Sequence, residues 1–309
     1  MKIIKPSFEI LPEVKPSDVL KRIESIGRTC YKSESQITDS SAEDFVRMLI
    51  RRGHESVLEH GHVIIRLSKW HYWNLEESNL KYFNLTETHT SDSERYIISA
   101  NIRAIRDAVK EDKTCSLHEV ASYLSKKYPV VFDEYKWRDE VNDIMLLDPS
   151  DLRTKEEIIA HQTMSVRFII DRGVSHEVVR HRPASFSQES TRYINYTKEN
   201  KGGECAFVSL QEHLSNPFVS LEIWLKHMEA CEEAYKAMID AGETPQIARS
   251  VLPNSLKTEI VVTANLEEWR EIFKQRVSVA AHPQMREIMR PLLDECKQLY
   301  PTIFSDINY

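Results

Sequence analysis

Residues 180–192 read Arg-His-Arg-Pro-Ala-Ser-Phe-Ser-Gln-Glu-Ser-Thr-Arg, which places four basic side chains and four hydroxyls in thirteen positions. Arg180, His181, Arg182 and Arg192 offer planar donors, and an arginine fork meets phosphate oxygens bidentately where lysine is only a point charge. Ser185, Ser187, Ser190 and Thr191 add rotatable donors, and Gln188 adds an amide that gives and accepts. The run predicts a small anionic, hydrogen-bonding ligand. Upstream, residues 174–179 predict a short helix with Ser175 as its cap, and Pro183 disfavours helical geometry at Arg182. The basic triplet therefore closes that helix. Cations at a helix C-terminus gain a few tenths to about 1 kcal/mol from the macrodipole with no ligand at all. Three adjacent cations repel one another, however, and only one or two are useful at a helix end.

At 309 residues the chain is long enough for one large domain or two ordinary ones with a full core. Its formal net charge is -7, so the basic run is a local feature of an acidic protein and not a nucleic-acid stripe. Cys30, Cys115, Cys205, Cys231 and Cys296 are widely spread, form no C-x-x-C pair and follow no secretory leader. They are expected to be reduced thiols of a soluble, cytoplasmic protein. No apolar run approaches the roughly 18 residues of a membrane span, so no membrane association is expected. Only seven glycines occur, and neither a G-x-G-x-x-G fingerprint nor a P-loop can be written. A nucleotide has to be held by side chains and helix ends.

Along the chain, residues 2–11 predict a short strand and residues 17–26 a helix capped by Ser17. Residues 41–52 predict an amphipathic helix ended by Gly53, and residues 62–67 a strand. From 69 to 160 the character changes to aromatic and polar loops, with a turn at residues 91–94, a helix near 116–127 and an acidic segment at 148–157. This stretch reads as an insertion between 1–68 and 161–309. Residues 165–170 resume as a strand, 217–241 form a long helix with Asn216 as cap, and Thr244-Pro245 starts another that carries Arg249. Residues 259–263 predict a strand and 266–275 a helix. One echo is present: residues 96–107 and 260–271 each read as a strand, an Ala-Asn step and a helix. Two unrelated strand-to-helix turns would share that pattern too, because Asn is a good cap.

Arg180-His181-Arg182, seven residues, then Ser190-Thr191-Arg192 resembles the Arg-His-Arg-x7-Ser-x-Arg signature of the flavin-dependent thymidylate synthases. Gly53-His54-Glu55-Ser56-Val57-Leu58-Glu59-His60 resembles a second element of that family, and Ala248-Arg249-Ser250-Val251-Leu252-Pro253 a third. Arg276 with the segment Ala281-His282-Pro283-Gln284-Met285-Arg286 resembles its late arginine and following helix. The resemblance covers about residues 1–68 and 161–309.

It implies an α+β fold, a mixed β-sheet with flanking helices interrupted by the large insertion, in a homotetramer whose active sites are shared between chains. It further implies an enzyme that methylates dUMP reductively to dTMP, with 5,10-methylenetetrahydrofolate supplying the carbon and NADPH the reducing equivalents through FAD. No enzyme nucleophile is needed, and none of the five cysteines follows a proline as the nucleophile of the cysteine-dependent synthases does. By resemblance Arg276 is the catalytic residue, set against the uracil as a preorganised cation. Glu177, Arg180, Gln188, Arg192, Arg249 and the backbone of Glu189, Ser190 and Thr191 then hold dUMP, with Ser190 a donor and not a nucleophile. His54, Ser56, Arg180, His181, Arg182, Gln188 and the turn at Asn265 line FAD, with Glu267 and Glu271 where other members assist it.

The chain departs from the family at several places. Glu177 and Gln188 exchange an expected Gln and Glu, Cys30 replaces a serine near the flavin, and Glu267 and Glu271 put carboxylates where a pyrophosphate would be repelled. The echoed Asn101-Ile102-Arg103 carries the Asn-x-Arg pattern that Asn265-Leu266-Glu267 lacks, so Arg103 is a candidate to supply the missing cation. Two other readings stay open: a metal- or Ser/His-dependent phosphohydrolase using the same basic loop, and a non-catalytic flavin- or nucleotide-binding protein. His54, His60 and His62 lack the H-E-x-x-H spacing or a nearby thiol, and no metal is expected. No G-x-S-x-G elbow surrounds Ser190.

Overall fold

Residues 163–171 alternate between faces as a strand should, and this strand organises half of the molecule. The computed structural model describes residues 1–78, 80–89, 94–111, 115–136, 143–198 and 204–309. Its strands are β1 (Lys2–Ile4), β2 (Ser7–Ile10), β3 (His62–Leu67), β4 (Phe83–His89), β5 (Glu94–Asn101), β6 (Ile144–Leu147), β7 (Thr163–Asp171), β8 (Ser185–Gln188), β9 (Ala206–Val208) and β10 (Lys257–Asn265). The first helices are α1 (Val19–Tyr31), α2 (Ser41–Arg51), α3 (Lys69–Glu76), α4 (Ile102–Glu111), α5 (Cys115–Ser125), α6 (Pro129–Phe132) and α7 (Lys155–His161). They are followed by α8 (Arg172–Val178), α9 (Pro217–Asp240), α10 (Pro245–Ala248), α11 (Leu266–Arg276), α12 (Pro283–Leu299) and α13 (Pro301–Phe304).

The expected α+β architecture is present, and its sheet component is divided among three sheets. One four-stranded sheet runs β2-β7-β10-β8 and another β4-β5-β3-β6, and every pair in both is antiparallel. The parallel component among the described residues is the small pair β1 and β9. Each four-stranded sheet has its own core. Trp269, Phe273 and Phe304 are fully buried on the first, and Ile65, Ile105 and Phe132 on the second. Each such side chain contributes about 1.5–3 kcal/mol through burial.

Residues 69–160 form much of the second sheet, since β4, β5 and β6 all belong to them and β3 pairs with both β5 and β6. The expected loops after residue 69 are instead α3, β4, β5 and α4. Ser68 caps α3 through its side chain. In β4, Phe-Asn-Leu-Thr-Glu-Thr-His places Thr86 and Thr88 inward, where they meet His161 and Glu157, so a polar strand satisfies its buried hydroxyls and reads as a loop by composition. The predicted turn at 91–94 lies, except for Glu94, outside the described residues.

The two echoed segments are equivalent in structure. In each, a strand ends in an asparagine whose Oδ1 accepts from the backbone three residues on: Asn101 from Ala104 at 2.8 Å, and Asn265 from Glu268 at 2.9 Å. Asn101 lies opposite His62 at the start of β3, and Asn265 opposite Thr163 at the start of β7. The next helix residue donates in each case to the residue before the partner strand, Ile102 to Gly61 and Leu266 to Gln162. The copies also grip each other. His60 Nδ1 meets Thr263 Oγ1 in β10, and His161 Nδ1 meets Ser99 Oγ in β5, each at 2.8 Å. A reciprocal exchange of this kind is an internal pseudo-two-fold. Gly61 permits close approach to α1, because a Cβ there would lie 2.6 Å from Ile23 Cδ1.

Candidate active site

Strand β7 runs on to Asp171, and this fixes the start of the helix that carries the basic run. Asp171 Oδ1 accepts from Val174 N at 2.7 Å and is the cap of α8. The expected cap, Ser175, lies one turn inside and donates to Arg172 O instead. Arg182 closes the other end: its Nη1 donates to Val179 O and His181 O, both at 2.7 Å. Helix closure thus accounts for one cation of the triplet. Arg180 is exposed, and His181 is buried.

Arg276, at the last turn of α11, meets His181 across 95 residues of sequence. Its Nε donates to His181 Nε2 at 2.8 Å, its Nη1 to Glu177 Oε2 at 3.1 Å and its Nη2 to Glu177 O at 2.9 Å. A guanidinium has five N–H donors, so this leaves two for a ligand. Burial and the neighbouring Arg276 and Arg182 charges push His181 down to about 4, and the ring is neutral.

The second half of the run folds over the end of α1. Gln188 Nε2 donates to Ser175 Oγ at 2.9 Å and to Thr258 Oγ1 at 3.0 Å. Glu189 is 4% exposed, with Lys257 Nζ at 2.6 Å from one oxygen and the Tyr196 hydroxyl at 3.2 Å from the other. A buried carboxylate so paired fixes the loop. Glu189 N donates to Glu259 O and Ser190 N to Cys30 O. The backbone donors expected for the ligand at these two residues are therefore spent on the fold, because the loop is pinned to β10 and α1. Ser190 Oγ accepts from Arg192 N at 3.3 Å and keeps its own proton as a donor. Thr191 Oγ1 accepts from Arg249 Nη1 at 3.0 Å, so Arg249, at the end of α10, is docked on the loop that carries Arg192. The Arg192 guanidinium lies over the Tyr193 ring, which packs on Tyr31 with centroids 5.5 Å apart. The Tyr31 hydroxyl lies 2.9 Å from His54 Nδ1. Ser56 is exposed nearby in the sequence.

A cavity of about 410 Å³ opens at the seam between the two copies. Asn101 and Arg103 from one turn, Asn265 from the other and Arg182 and Phe186 from the basic run are among its walls. Arg103 Nη1 donates to Glu59 at 2.6 Å, and its Nε lies 3.3 Å from Asp107. Of the residues expected at FAD, Arg182 and Asn265 line this cavity, and His54, Ser56, Arg180, His181, Gln188, Glu267 and Glu271 do not. The last two carboxylates are exposed, and Glu271 pairs with Lys274 at 2.6 Å. Among the described residues no group of three or more His, Cys, Asp and Glu could hold a metal ion. Nor is Ser190 paired with His181, whose Nε2 is occupied by Arg276.

Sequence reasoning missed Tyr31, Lys257, Tyr196 and Glu268. Each acts through a fold contact and belongs to no motif. Tyr31, next to Cys30, and Glu268, next to Glu267, stand beside residues that the sequence singles out; Lys257 and Tyr196 do not.

The sequence model of the family described as thymidylate synthase complementing protein matches residues 14–128 and 150–302. The chain belongs to that family. It is 37% identical over 138 residues to the flavin-dependent thymidylate synthase of Geobacter sulfurreducens, covering 44% of this chain and 57% of that relative. To the flavin-dependent thymidylate synthase of Corynebacterium efficiens it is 34% identical over 157 residues, covering 48% of this chain and 62% of the relative. The match thus spans less than two thirds of these relatives' lengths. To the probable flavin-dependent thymidylate synthase of Mycobacterium phage D29 it is 30% identical over 213 residues, 65% of this chain and 88% of that protein. Among solved structures, the UMP/dUMP methylase PolB from Streptomyces cacaoi bound with 5-Br dUMP aligns over 99% of this chain and 96% of its own, with TM-score 0.42 and 14% identity. Among the described residues no helix is long and apolar enough to cross a membrane.

Proposed function

We propose that the protein is a flavin-dependent thymidylate synthase that methylates dUMP to dTMP, with 5,10-methylenetetrahydrofolate as carbon donor, NADPH as reductant and FAD as cofactor. The observation that carries this reading is Arg276, held on Glu177 and His181 of the family's basic element with two donors left over. In this reading Arg276 is the catalytic residue. Its fixed cation lies against the pyrimidine and favours negative charge as it develops on the ring, at no reorganisation cost. Arg192 and Arg249 take the phosphate, with the Ser190 hydroxyl as a further donor, and Glu177 and Gln188 set the orientation of their neighbours. Arg180 completes the cationic wall.

The residues present fit FAD. A cavity of about 410 Å³ lies within the range of small-molecule sites. Arg103 and Arg182 suit phosphate oxygens, the Asn101 and Asn265 turns present helix ends, and Phe186 adds an apolar ring. His181, His54 and Ser56 belong to the flavin side of the same reading. When bound, FAD supplies the transfer of reducing equivalents. Glu267 and Glu271 then face solvent instead of the cofactor, and Arg103 of the first copy serves where the second copy has lost its arginine. Residues 1–68 and 161–309 hold the substrate machinery, and 69–160 complete the cofactor side.

The quaternary part of the proposal is a cytoplasmic homotetramer. Self-association is supported by the apolar side chains that α9 exposes, Phe218, Val219 and Ile223, and the number of chains is tested by the mass of the protein in solution. The functional test is a spectrum of the purified protein with and without dUMP and NADPH, followed by an assay for dTMP. A colourless protein that releases phosphate from dUMP would favour a phosphohydrolase.

A further inference from the structure

Glu268 is the one acidic side chain of α11 that is turned inward: it is 8% exposed, whereas Glu267 and Glu271 face solvent. Its Oε1 lies 4.0 Å from His181 Nδ1. The far side of that imidazole is fixed, because Arg276 Nε can only donate and His181 Nε2 must therefore accept. The neutral ring then carries its proton on Nδ1, the atom nearer Glu268. A carboxyl group, an imidazole and a guanidinium stand in a row that ends at the two free donors of Arg276. At 4.0 Å the first step is longer than a hydrogen bond.

We propose that Glu268 is a positioning residue that acts through His181 on Arg276: as a carboxylate it closes the 4.0 Å gap to accept a hydrogen bond from Nδ1 and fixes the imidazole against the guanidinium, and as a carboxylic acid it releases the ring. This rests on the reading of Arg276 as the group that meets the pyrimidine. Burial, with Glu271 and Glu267 on the same helix, pushes Glu268 up to about 7, so both forms are populated near neutral pH. The other charges around it are engaged elsewhere. Behind His181 stand Arg276 and Arg182, the latter held through its Nη1 on the Val179 and His181 carbonyls. From α7, Glu157 pairs with Arg95 and His161 bonds Thr86 and Ser99. From α12, Arg286 and Arg290 donate to the Val279 and Val277 carbonyls.

The test is dUMP affinity, measured by calorimetry on the FAD-loaded full chain, for the unsubstituted protein and Glu268→Gln at about pH 6 and about pH 8. Glutamine imitates the protonated acid. The two proteins are expected to bind alike at the lower pH and to differ by roughly fivefold or more at the higher, the scale of one hydrogen bond. The titration of the dUMP phosphate is common to both and cancels. Equal affinities at both pH values overturn the proposal. A second measurement needs neither variant nor substrate: the ring-carbon NMR shift of His181 in the unsubstituted protein should step near neutral pH although the ring stays neutral, and a flat response overturns the coupling. If dUMP binds at neither pH, the functional reading fails, and the NMR step alone decides the role of Glu268.

Discussion

Arg276 Nε donates to His181 Nε2 at 2.8 Å, joining the last turn of α11 to the basic run. Two further donors of the same guanidinium are committed to Glu177. A lysine can occupy the space but cannot make three directed bonds and still present a planar edge. Arg276→Lys should therefore keep the fold and the flavin absorbance but lower the turnover number at saturating dUMP by at least about tenfold, or about 1.4 kcal/mol. An unchanged turnover number would remove Arg276 from the chemistry.

Ser190 Oγ accepts from Arg192 N and meets no base among the described residues. Ser190→Ala loses a donor, not a nucleophile, and the expected cost is about 1 to 3 kcal/mol if the partner stays buried. Methylation should persist at a reduced rate. A folded, flavin-loaded Ser190→Ala protein with no activity at all would contradict the mechanism.

Arg103 bridges Glu59 and Asp107 at the rim of the seam cavity and is 37% exposed. Exposed pairs of this kind contribute about 0–1 kcal/mol to stability. Arg103→Ala should thus leave the melting temperature of the apoprotein nearly unchanged while weakening FAD binding by roughly tenfold or more, as the loss of a charged hydrogen bond to phosphate requires. Flavin fluorescence titration measures this directly. Equal affinity in the two proteins would reduce the echoed turn to architecture.

How much of this was legible depends on what each residue contacts. The basic run, Arg249 and Arg276 were readable because arginines crowded among hydroxyls are hard to explain by packing. The strands β3, β7 and β10 were readable because apolar side chains with β propensity announce them. The strand β4 was not, since the buried hydroxyls of Thr86 and Thr88 find their partners in the His161 imidazole and the Glu157 carboxylate of α7, some 70 residues away in sequence. The cap of α8 was misplaced by four residues for a similar reason: nothing local tells that β7 continues through Asp171. The reciprocal bonds from His60 to Thr263 and from His161 to Ser99 turn a faint repeat into a structural one, and single residues in unrelated contexts carry no sign of them.

Those two histidines also predict an acid limit. His60 and His161 are both buried, and burial pushes them down to about 3 and about 4 respectively. Their folded-state values lie below the ordinary histidine range, so the unfolded chain binds more protons as the pH falls below about 6.5. Stability should be fully present above that point and be lost progressively toward about pH 4, at up to about 1.4 kcal/mol per pH unit for each group. Urea midpoints measured against pH check this, and a midpoint that stays level down to about pH 4 would show that the seam histidines accept protons without cost.

Methylation by this protein is measured by incubating the purified, FAD-loaded chain with dUMP, 5,10-methylenetetrahydrofolate and NADPH and quantifying dTMP. The expected result is dTMP formation that requires all three and fails when FAD is stripped. Release of phosphate from dUMP, or no dTMP from a flavin-loaded protein shown to bind dUMP, would rule out a thymidylate synthase.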